Sequence, residues 1–327
     1  MELTDFHGVV VALADADESL DANLATLARG ADIVRVERPA AGCWDDLRAR
    51  GFVLKPQYVS WQARLAGSEE EYLAAMAKRE RQSLRRAARQ AAQAGLDLSV
   101  RGLDGPLLEE FLSLYVPAIS AMRHGVLIAV EERAEIWAQR DAYLVVCAHQ
   151  GGQLVGCSLV RREPERDTAR LRFSAVAAEF RETSLARVLY LNAANAARAA
   201  GLSCFGLGKD RNLYGHIAQP GLIAFKLALG QTPHPSQQLD PAVGYDQADL
   251  ILRLGALADP SMMLGYPDGQ PGGGPLRLEV FSATGEADIR AFRRRFPGAR
   301  QHQRPLAGPS VNDQALNVPL QEGMVPS

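Results

Sequence analysis

Residues 142–160 read AYLVVCAHQGGQLVGCSLV, two apolar runs separated by Gly151 and Gly152. Glycine tolerates the positive φ angles that a tight turn requires, so this stretch predicts an antiparallel β-hairpin. Further along, apolar spacing predicts a strand, a helix, a strand and a helix over 169–177, 184–200, 203–207 and 222–230. A meander that leads into a helix and then a parallel strand predicts an α/β (α+β) fold, with a mixed, mostly antiparallel sheet and helices on both faces.

Strand and helix patterns also alternate on either side of this region. Upstream, strands are predicted over 9–13, 33–36, 52–65 and 96–103, and helices over 20–27, 44–50, 68–95, 107–122 and 131–140. Downstream, strands are predicted over 250–254 and 276–281 and a helix over 287–296, followed by a polar tail without periodicity. The longest helix signal is the one over 68–95, which starts with Ser68 as a candidate N-cap and ends at Gly95.

The middle of this longest helix is strongly basic. Its cationic residues are Lys78, Arg79, Arg81, Arg85, Arg86 and Arg89. One explanation is a solvated helix face, with the intervening alanines turned inward. The other is a phosphate-binding surface that faces a nucleotide or a tRNA. The sequence leaves both explanations open.

Composition excludes several classes of protein. The 327 residues carry 36 basic and 38 acidic side chains, so the net charge of -2 gives no general attraction to nucleic acid or anionic membranes. The N-terminus has no basic segment before its short apolar run, and no apolar stretch reaches the roughly 20 residues of a membrane helix. The four cysteines form no CxxC pair, and the six histidines show no HxxxH or HExxH spacing. We therefore expect a cytoplasmic protein without a membrane partner or a metal site.

Three segments resemble the GNAT superfamily, and most closely its branch of Fem-type peptidoglycan aminoacyltransferases and related bacterial acyltransferases. They are KRERQSLRRAARQAAQAGLDLSV (78–100), GGQLVGCSLVRRE (151–163) and GLSCFGLGKD…GLIAFKLALG (201–230). The resemblance covers about residues 60–232. The segment WDDLRARGFVLKPQYVSWQARL (44–65) also looks like the N-terminal half of that family.

The resemblance implies four parts of the chain. These are a vestigial GNAT-like half over 1–67, a GNAT-like catalytic domain over 68–255, a strand–helix extension over 256–298 and a flexible tail over 299–327. We therefore expect two GNAT-like halves.

The resemblance also implies where a donor would bind. In this family a glycine-containing turn between a central strand and the long helix holds the pyrophosphate of coenzyme A, and Arg181–Ala186 (RETSLA) occupies that place. Arg181 and Ala186 match the family pattern, Ser184 replaces a glycine, and Glu182 adds a negative charge. The implied donor-binding residues are Arg181, Ser184, Ala186 and Val176. Of these, Val176 belongs to the predicted strand over 169–177. An ordinary helix cap by Ser184 or Thr183 is the alternative.

The remaining site residues follow from the same resemblance. Lys226 and Phe225 correspond to a Phe-Lys pair near the acyl donor, although Lys226 is equally typical of a surface lysine on an amphipathic helix. Lys209 and Asp210 follow a strand, where sheet proteins place ligand contacts. Tyr214 and His216 are candidates for proton transfer, and the candidate substrate-binding residue Arg172 is alternatively an ion-pair partner of a carboxylate.

These expectations lead to three hypotheses. The first is an N-acyltransferase that moves an acyl group from an acyl-CoA to a small-molecule amine in a ternary complex, with no tightly bound cofactor. The second is an aminoacyl-tRNA-dependent transferase that binds tRNA through the basic helix over 78–89. The third is a GNAT-like scaffold that binds a ligand without turnover. The sequence does not define the oligomeric state.

Overall fold

The computed structural model describes residues 1–267, 271–272 and 274–306, in which strands and helices alternate. The strands are β1 (Glu2–Phe6), β2 (Val9–Ala14), β3 (Ile33–Glu37), β4 (Val53–Pro56), β5 (Tyr58–Arg64), β6 (Asp97–Gly102), β7 (Tyr143–Gln150), β8 (Gln153–Glu163), β9 (Thr168–Val176), β10 (Cys204–Arg211), β11 (Thr232–Pro235), β12 (Asp246–Ile251), β13 (Ser261–Gly265), β14 (Arg277–Ser282) and β15 (Arg300–Gln303). The helices are α1 (Ala16–Ser19), α2 (Leu24–Leu27), α3 (Trp44–Ala49), α4 (Glu69–Ala74), α5 (Lys78–Gln93), α6 (Gly105–Ser120), α7 (Ile128–Glu131), α8 (Arg133–Ala138), α9 (Leu185–Ala199), α10 (Pro220–Ala228) and α11 (Ser236–Leu239).

The chain forms two compact units. The first unit comprises Met1–Ser60, Lys209–Ala224 and the described part of Pro233–Ser327, and the second comprises Trp61–Gly208 and Phe225–Thr232. These two units divide the chain at other positions than the predicted domain boundaries do, and the four-part domain organisation stays a prediction.

The first unit contains a five-stranded sheet in the order β1-β2-β3-β12-β4 and a three-stranded sheet in the order β13-β14-β15. In the larger sheet β2 and β3 are parallel, while β12 is antiparallel to both β3 and β4. The apolar core of the first unit includes Val9, Ile33, Met263 and Phe281, and none of these residues is more than 1% exposed.

A seven-stranded sheet follows the order β11-β5-β10-β9-β8-β7-β6. Strands β6 to β9 are antiparallel to their neighbours, and β10 is parallel to β9. Cys157 and Leu159 of β8 share a core with α6, whereas Gly156 lies against the leucines of α9. Because successive residues of a strand point to opposite faces, α6 and α9 cover opposite faces of the sheet. The predicted fold class is therefore confirmed, and so is the hairpin, whose Gly151 and Gly152 have φ angles of 57° and 84°.

The predicted helix over 68–95 is interrupted. Ser68 caps α4 as expected, since its side chain accepts from the backbone N–H of Glu71, but the chain leaves the helix at 75–77 before α5 begins. Met76 in this break is 4% exposed and its side chain lies against Gly230. Burial of this methionine provides a tertiary reason for the break that helical periodicity does not encode.

Three other helix predictions need correction. The helix predicted over 20–27 is reduced to α2, and the helix over 131–140 is divided between α7 and α8. The helix predicted over 287–296 is wrong, since residues 290–295 form turns. Asp288 there accepts from both the backbone N–H and the guanidinium of Arg290, and such local side-chain bonds compete with helical ones.

The sequence patterns did not predict β1, β11, β13 and β15. Strand β15 lies in the segment expected to be a flexible tail, and it pairs in parallel with β14 from Arg300 to Gln303. The part of that expected tail beyond residue 306 lies outside the described residues.

Candidate functional site

Strands β9 and β10 pair over only three residues and then separate. The parallel ladder joins Thr168 with Cys204 at one end and Arg170 with Gly206 at the other. Strand β9 continues to Val176 and stays paired with β8 on its other side as far as Gly156. The backbone of β9 from 171 to 176 therefore has no ladder partner on the β10 side, and its polar groups there are available to a ligand.

Two local irregularities accompany this separation. Leu159 of β8 pairs with Phe173 and the next residue, Val160, pairs with Leu171, so Arg172 is the extra residue of a β-bulge. A bulge bends its strand and increases the local twist. On β10, Gly208 has a φ of 75°, a conformation that few residues other than glycine adopt. These irregularities lie where the two strands part.

A short 3-10 segment, Ala178–Thr183, connects β9 to the N-terminus of α9. Ser184 occupies the N-cap position with φ 64° and ψ 17°, in the left-handed region, and its side chain makes no capping hydrogen bond. Thr183 donates its hydroxyl to the carbonyl of Phe180 at 2.7 Å. Neither side chain is therefore the ordinary helix cap that was the alternative explanation. The first N–H groups of a 15-residue helix such as α9 have no acceptor within the helix, and they carry its positive dipole end.

The two predicted arginines of this region have different environments. Arg181 is exposed, and its Nη2 donates to the carbonyl of Ala118 at 3.3 Å. Arg172 forms an ion pair with Glu132 and lies over the ring of Phe173, 5.2 Å from the ring centroid. For Arg172 the structure therefore shows the ion pair that the sequence left as an alternative.

The Phe-Lys pair lies on α10. Lys226 is only 5% exposed and its Nζ is 5.6 Å from the ring centroid of Trp61, so it is not the surface lysine of the alternative explanation. Phe225 makes an edge contact with Tyr190 of α9 at 5.8 Å. The guanidinium of Arg187, in the first turn of α9, lies 5.7 Å from the same phenylalanine ring.

A hydroxyl network that the sequence analysis missed connects β8, β9 and α9. The hydroxyls of Ser158 and Ser174 are 2.8 Å apart, and Ser174 lies within hydrogen-bonding reach of the Tyr190 hydroxyl. Burial raises the pKa of Tyr190, and the bond to Ser174 opposes this rise. The available sequence signal was a serine within the apolar run of β8. Ser174 follows the point where β9 parts from β10, so the network adjoins the unpaired segment of β9.

The other four predicted site residues belong to the first unit. Tyr214 is completely buried, and its hydroxyl donates a hydrogen bond to Oδ2 of Asp210 at 3.1 Å. This bond uses the hydroxyl proton of Tyr214. His216 is 7% exposed, with Nε2 3.0 Å from the carbonyl of His7. Lys209 places its Nζ 5.2 Å from the ring centroid of Tyr58. These residues are therefore in a different unit from Lys226, Arg181, Ser184, Ala186, Val176, Arg172 and Phe225.

The basic helix α5 has the amphipathic pattern that the sequence predicted. Leu84, Ala87 and Ala91 are buried. The cationic residues exposed to solvent are Lys78, Arg79, Arg85, Arg86 and Arg89. The exposed cations are compatible with a solvated face and with a phosphate-binding surface.

Residues 78–216 match a family model described as an acetyltransferase (GNAT) domain. The match confirms the resemblance to the GNAT superfamily over this segment, which includes β9, α9 and β10. None of the curated proteins matches the chain. Within the described residues no helix is long and apolar enough to cross a membrane, and no group of three or more His, Cys, Asp or Glu is arranged to hold a metal ion.

Several solved structures are distantly similar. The C-terminal domain (DUF2156) of a protein described as a lysylphosphatidylglycerol synthetase from Agrobacterium fabrum is 14% identical, with 76% of this chain and 79% of that chain covered and a TM-score of 0.43. FemX is 13% identical, with coverages of 76% and 83% and a TM-score of 0.44. L-PGS from Bacillus licheniformis is 11% identical, with coverages of 75% and 79% and a TM-score of 0.39.

Proposed function

We propose, from the GNAT domain that residues 78–216 carry, that this protein is an N-acyltransferase that transfers an acyl group from an acyl-CoA to an amine. The separation of β9 from β10 after Arg170 and Gly206 carries the proposal. It leaves backbone donors and acceptors beside a gap, and the strand that supplies them leads through a short turn into the N-terminus of α9. An acyl thioester needs hydrogen-bond donors for its carbonyl, and its phosphates favour a helix N-terminus.

In the proposed reaction both substrates are bound together. The amine nitrogen attacks the thioester carbonyl, the C–N bond forms, the C–S bond breaks, and the proton lost by the amine balances the charge of the departing thiolate. Unpaired N–H groups of β9 would stabilise the oxyanion, and positioning of the two reactants supplies much of the acceleration. Arg181, Ser184 and Ala186 would contact the phosphates, and Lys226 would lie near the reacting carbonyl.

The proton-transfer roles of Tyr214 and His216 stay predictions. The Tyr214 hydroxyl already donates to Asp210, and the tyrosine side chain is fully buried. We therefore do not route the proton through Tyr214.

Coenzyme A binding and turnover test the proposal together. The full chain is incubated with acyl-CoA donors of different chain length and with a panel of amines, and products are identified by mass spectrometry. Coenzyme A at 100 times its Kd should raise the free energy of unfolding by about 2.7 kcal/mol, because it binds only the folded protein. Arg181→Gln should weaken this stabilisation, whereas Arg101→Gln, an exposed arginine paired with Asp104, should leave it unchanged.

Three outcomes separate the hypotheses. Turnover with an acyl-CoA supports the proposal. Stabilisation by coenzyme A without turnover with any donor supports a binding scaffold. The absence of both overturns an acyl-CoA-dependent activity.

The exposed cations of α5 favour a second candidate, an aminoacyl-tRNA-dependent transferase. Arg85 and Arg86 are adjacent, and neither forms an ion pair within the described residues. Affinity for tRNA would fall by roughly one log unit of K per log unit of salt for each phosphate neutralised. Replacement of both arginines by glutamine should flatten that salt dependence, and unchanged aminoacyl transfer by this variant would exclude the candidate.

A further inference from the structure

A cleft in the first unit is lined by three cationic side chains. Arg35, Lys55 and Arg211 line an open depression with a cavity volume of about 20 Å³, and Phe6 and Ile217 are its apolar neighbours. All of these residues belong to the first unit, and Arg211 is the last residue of β10, five positions beyond Gly206. The residues proposed to contact the acyl donor, Arg181, Ser184 and Lys226, belong to the second unit, so the cleft is formed by a different set of side chains.

One buried carboxylate faces these cations. Asp249 is fully buried and accepts from Arg35 Nε at 2.7 Å and Nη2 at 2.8 Å, while Lys55 Nζ lies 3.0 Å from its Oδ2. Lys55 is itself 1% exposed and also donates to the carbonyl of Asn212 at 2.8 Å. Burial lowers the pKa of Lys55 to about 8, and the charges of Arg35 and Arg211 contribute to this decrease. At neutral pH three positive charges therefore face one negative charge.

Arg211 is the cation available to a ligand. Its guanidinium lies 4.7 Å from the ring centroid of Phe6 and 5.6 Å from that of Tyr58, so two aromatic rings fix its position. No ion pair or hydrogen bond of this guanidinium is found in the part of the chain that the structure describes. A planar guanidinium held in this way is suited to bind a carboxylate with two parallel hydrogen bonds.

The cleft also contains a buried acceptor that lacks a donor. Gln247 lines the cleft and is 2% exposed. Its Nε2 donates to Asp249 at 3.4 Å, but its Oε1 has no hydrogen-bond partner among the described residues. An unsatisfied buried acceptor costs about 1–3 kcal/mol, so a ligand that donates to this oxygen recovers a corresponding free energy.

We propose that this cleft binds a small carboxylate that carries a neutral O–H or N–H donor on the adjacent carbon. The carboxylate would bind Arg211, and the neighbouring donor would reach Oε1 of Gln247. An ammonium donor fits less well, because the surplus of cations repels it. The matching ligands are α-hydroxy acids and N-acylated α-amino acids, including a peptide C-terminus, with a small apolar substituent against Phe6.

Four ligands that share a propionate skeleton test this pattern in isothermal titration with the full chain. Propionate has no donor, lactate has a hydroxyl, alanine has an ammonium, and N-acetylalanine has an amide N–H. Lactate or N-acetylalanine should bind about tenfold more tightly than propionate and alanine, because only these two provide a neutral donor. The stronger of the two identifies the source of the ligand as a hydroxy acid or an acylated amino acid.

Two variants and one control assign the binding to the cleft. Arg211→Gln should weaken binding at least tenfold, and Gln247→Met should abolish the preference for lactate or N-acetylalanine over propionate. Arg38→Gln is the matched control, since Arg38 is also exposed and stacks on an aromatic ring, Tyr245, at 3.9 Å, but lies outside the cleft. Circular dichroism establishes that each variant is folded.

Equal affinities of propionate, lactate and N-acetylalanine, or binding that survives Arg211→Gln in a folded variant, would overturn the proposal. Tighter binding of inorganic phosphate than of either donor-bearing acid would do the same. The measurement needs neither coenzyme A nor turnover, so failure of the acyltransferase proposal does not affect it.

Discussion

Arg170 on β9 and Gly206 on β10 form the last pair of the parallel ladder between these strands. Beyond this pair β9 has six more residues and β10 has five, yet no further pair joins them. The bulge at Arg172 and the positive φ of Gly208 follow within two residues on the respective strands. The gap is therefore a property of the backbone, and side-chain substitutions around it test its role.

Substitution of Ser184 by glycine should stabilise the protein. Ser184 adopts the left-handed conformation, which costs most residues about 1–2 kcal/mol but costs glycine little. Because glycine also has a more flexible unfolded state, we expect a net increase of about 0.5–1 kcal/mol in the free energy of unfolding, measured by urea denaturation. Ser113→Gly, on the exposed face of α6, should instead destabilise the protein. A loss of stability in Ser184→Gly would contradict the backbone conformation described here.

Substitution of Gly156 by valine should disturb the contact between β8 and α9. A Cβ atom at this position would lie 3.0 Å from Cδ2 of Leu185 and 3.1 Å from Cδ1 of Leu189. Overpacking of this kind costs about 1–3 kcal/mol, and relief by a shift of α9 should also weaken stabilisation by coenzyme A. Gly102→Val is the control, because no atom lies within 4 Å of a Cβ added there. Equal effects of the two substitutions in thermal denaturation would argue against close packing at Gly156.

Replacement of Lys226 by methionine separates packing from chemistry. Methionine has a similar length, so it can keep the packing against Trp61 while it removes the ammonium group. If Lys226 lies near the reacting carbonyl, kcat/KM should fall at least tenfold while the thermal transition stays close to that of the wild type. Full turnover in a stable variant would assign Lys226 to packing against Trp61.

Acid should destabilise the first unit through Asp249. Burial raises the pKa of this carboxyl, but the positive charges of Arg35 and Lys55 outweigh burial and lower it to about 2, from 3.8 in the unfolded chain. The stabilisation is present above the unfolded pKa and is lost as the pH falls through the folded pKa, with a total of about 2 kcal/mol. Urea denaturation from pH 5 to pH 2 should show this loss. Asp249→Asn should be less stable throughout and less dependent on pH in this range, and a parallel pH profile would contradict the assignment.

Alkali should have the opposite effect through Lys55. Its pKa is about 8 in the folded protein and 10.5 in the unfolded chain, so the unfolded chain binds the proton more tightly. Because the folded pKa is lowered, the cost of burying this ammonium decreases as the pH rises from 8 to 10.5, by about 3 kcal/mol in total. Over this pH range the unfolding free energy of the wild type should therefore rise relative to that of Lys55→Met. A difference that does not change with pH would show that Lys55 keeps an ordinary pKa.

Patterns of local sequence predicted the strands and helices that surround the candidate site. The apolar runs on either side of Gly151 and Gly152 predicted β7 and β8, and the helical spacing over 184–200 predicted α9, because these signals depend on residues close together in the chain. The break between α4 and α5 was not predictable in this way. It accompanies the burial of Met76 against Gly230, a residue more than 150 positions away.

The sequence by itself determined the β7–β8 hairpin, helix α9 and the order of elements that the GNAT resemblance requires, since each rests on local backbone preferences and apolar periodicity. Only the tertiary structure decided which candidate side chains share a unit. It enclosed Tyr214 against Asp210, paired Arg172 with Glu132 and buried Lys226 over Trp61. It also ended the β9–β10 ladder at Arg170 and Gly206 and left Oε1 of Gln247 without a donor among the described residues. These features depend on the distances between segments remote in sequence, and residue spacing along the chain does not encode such distances.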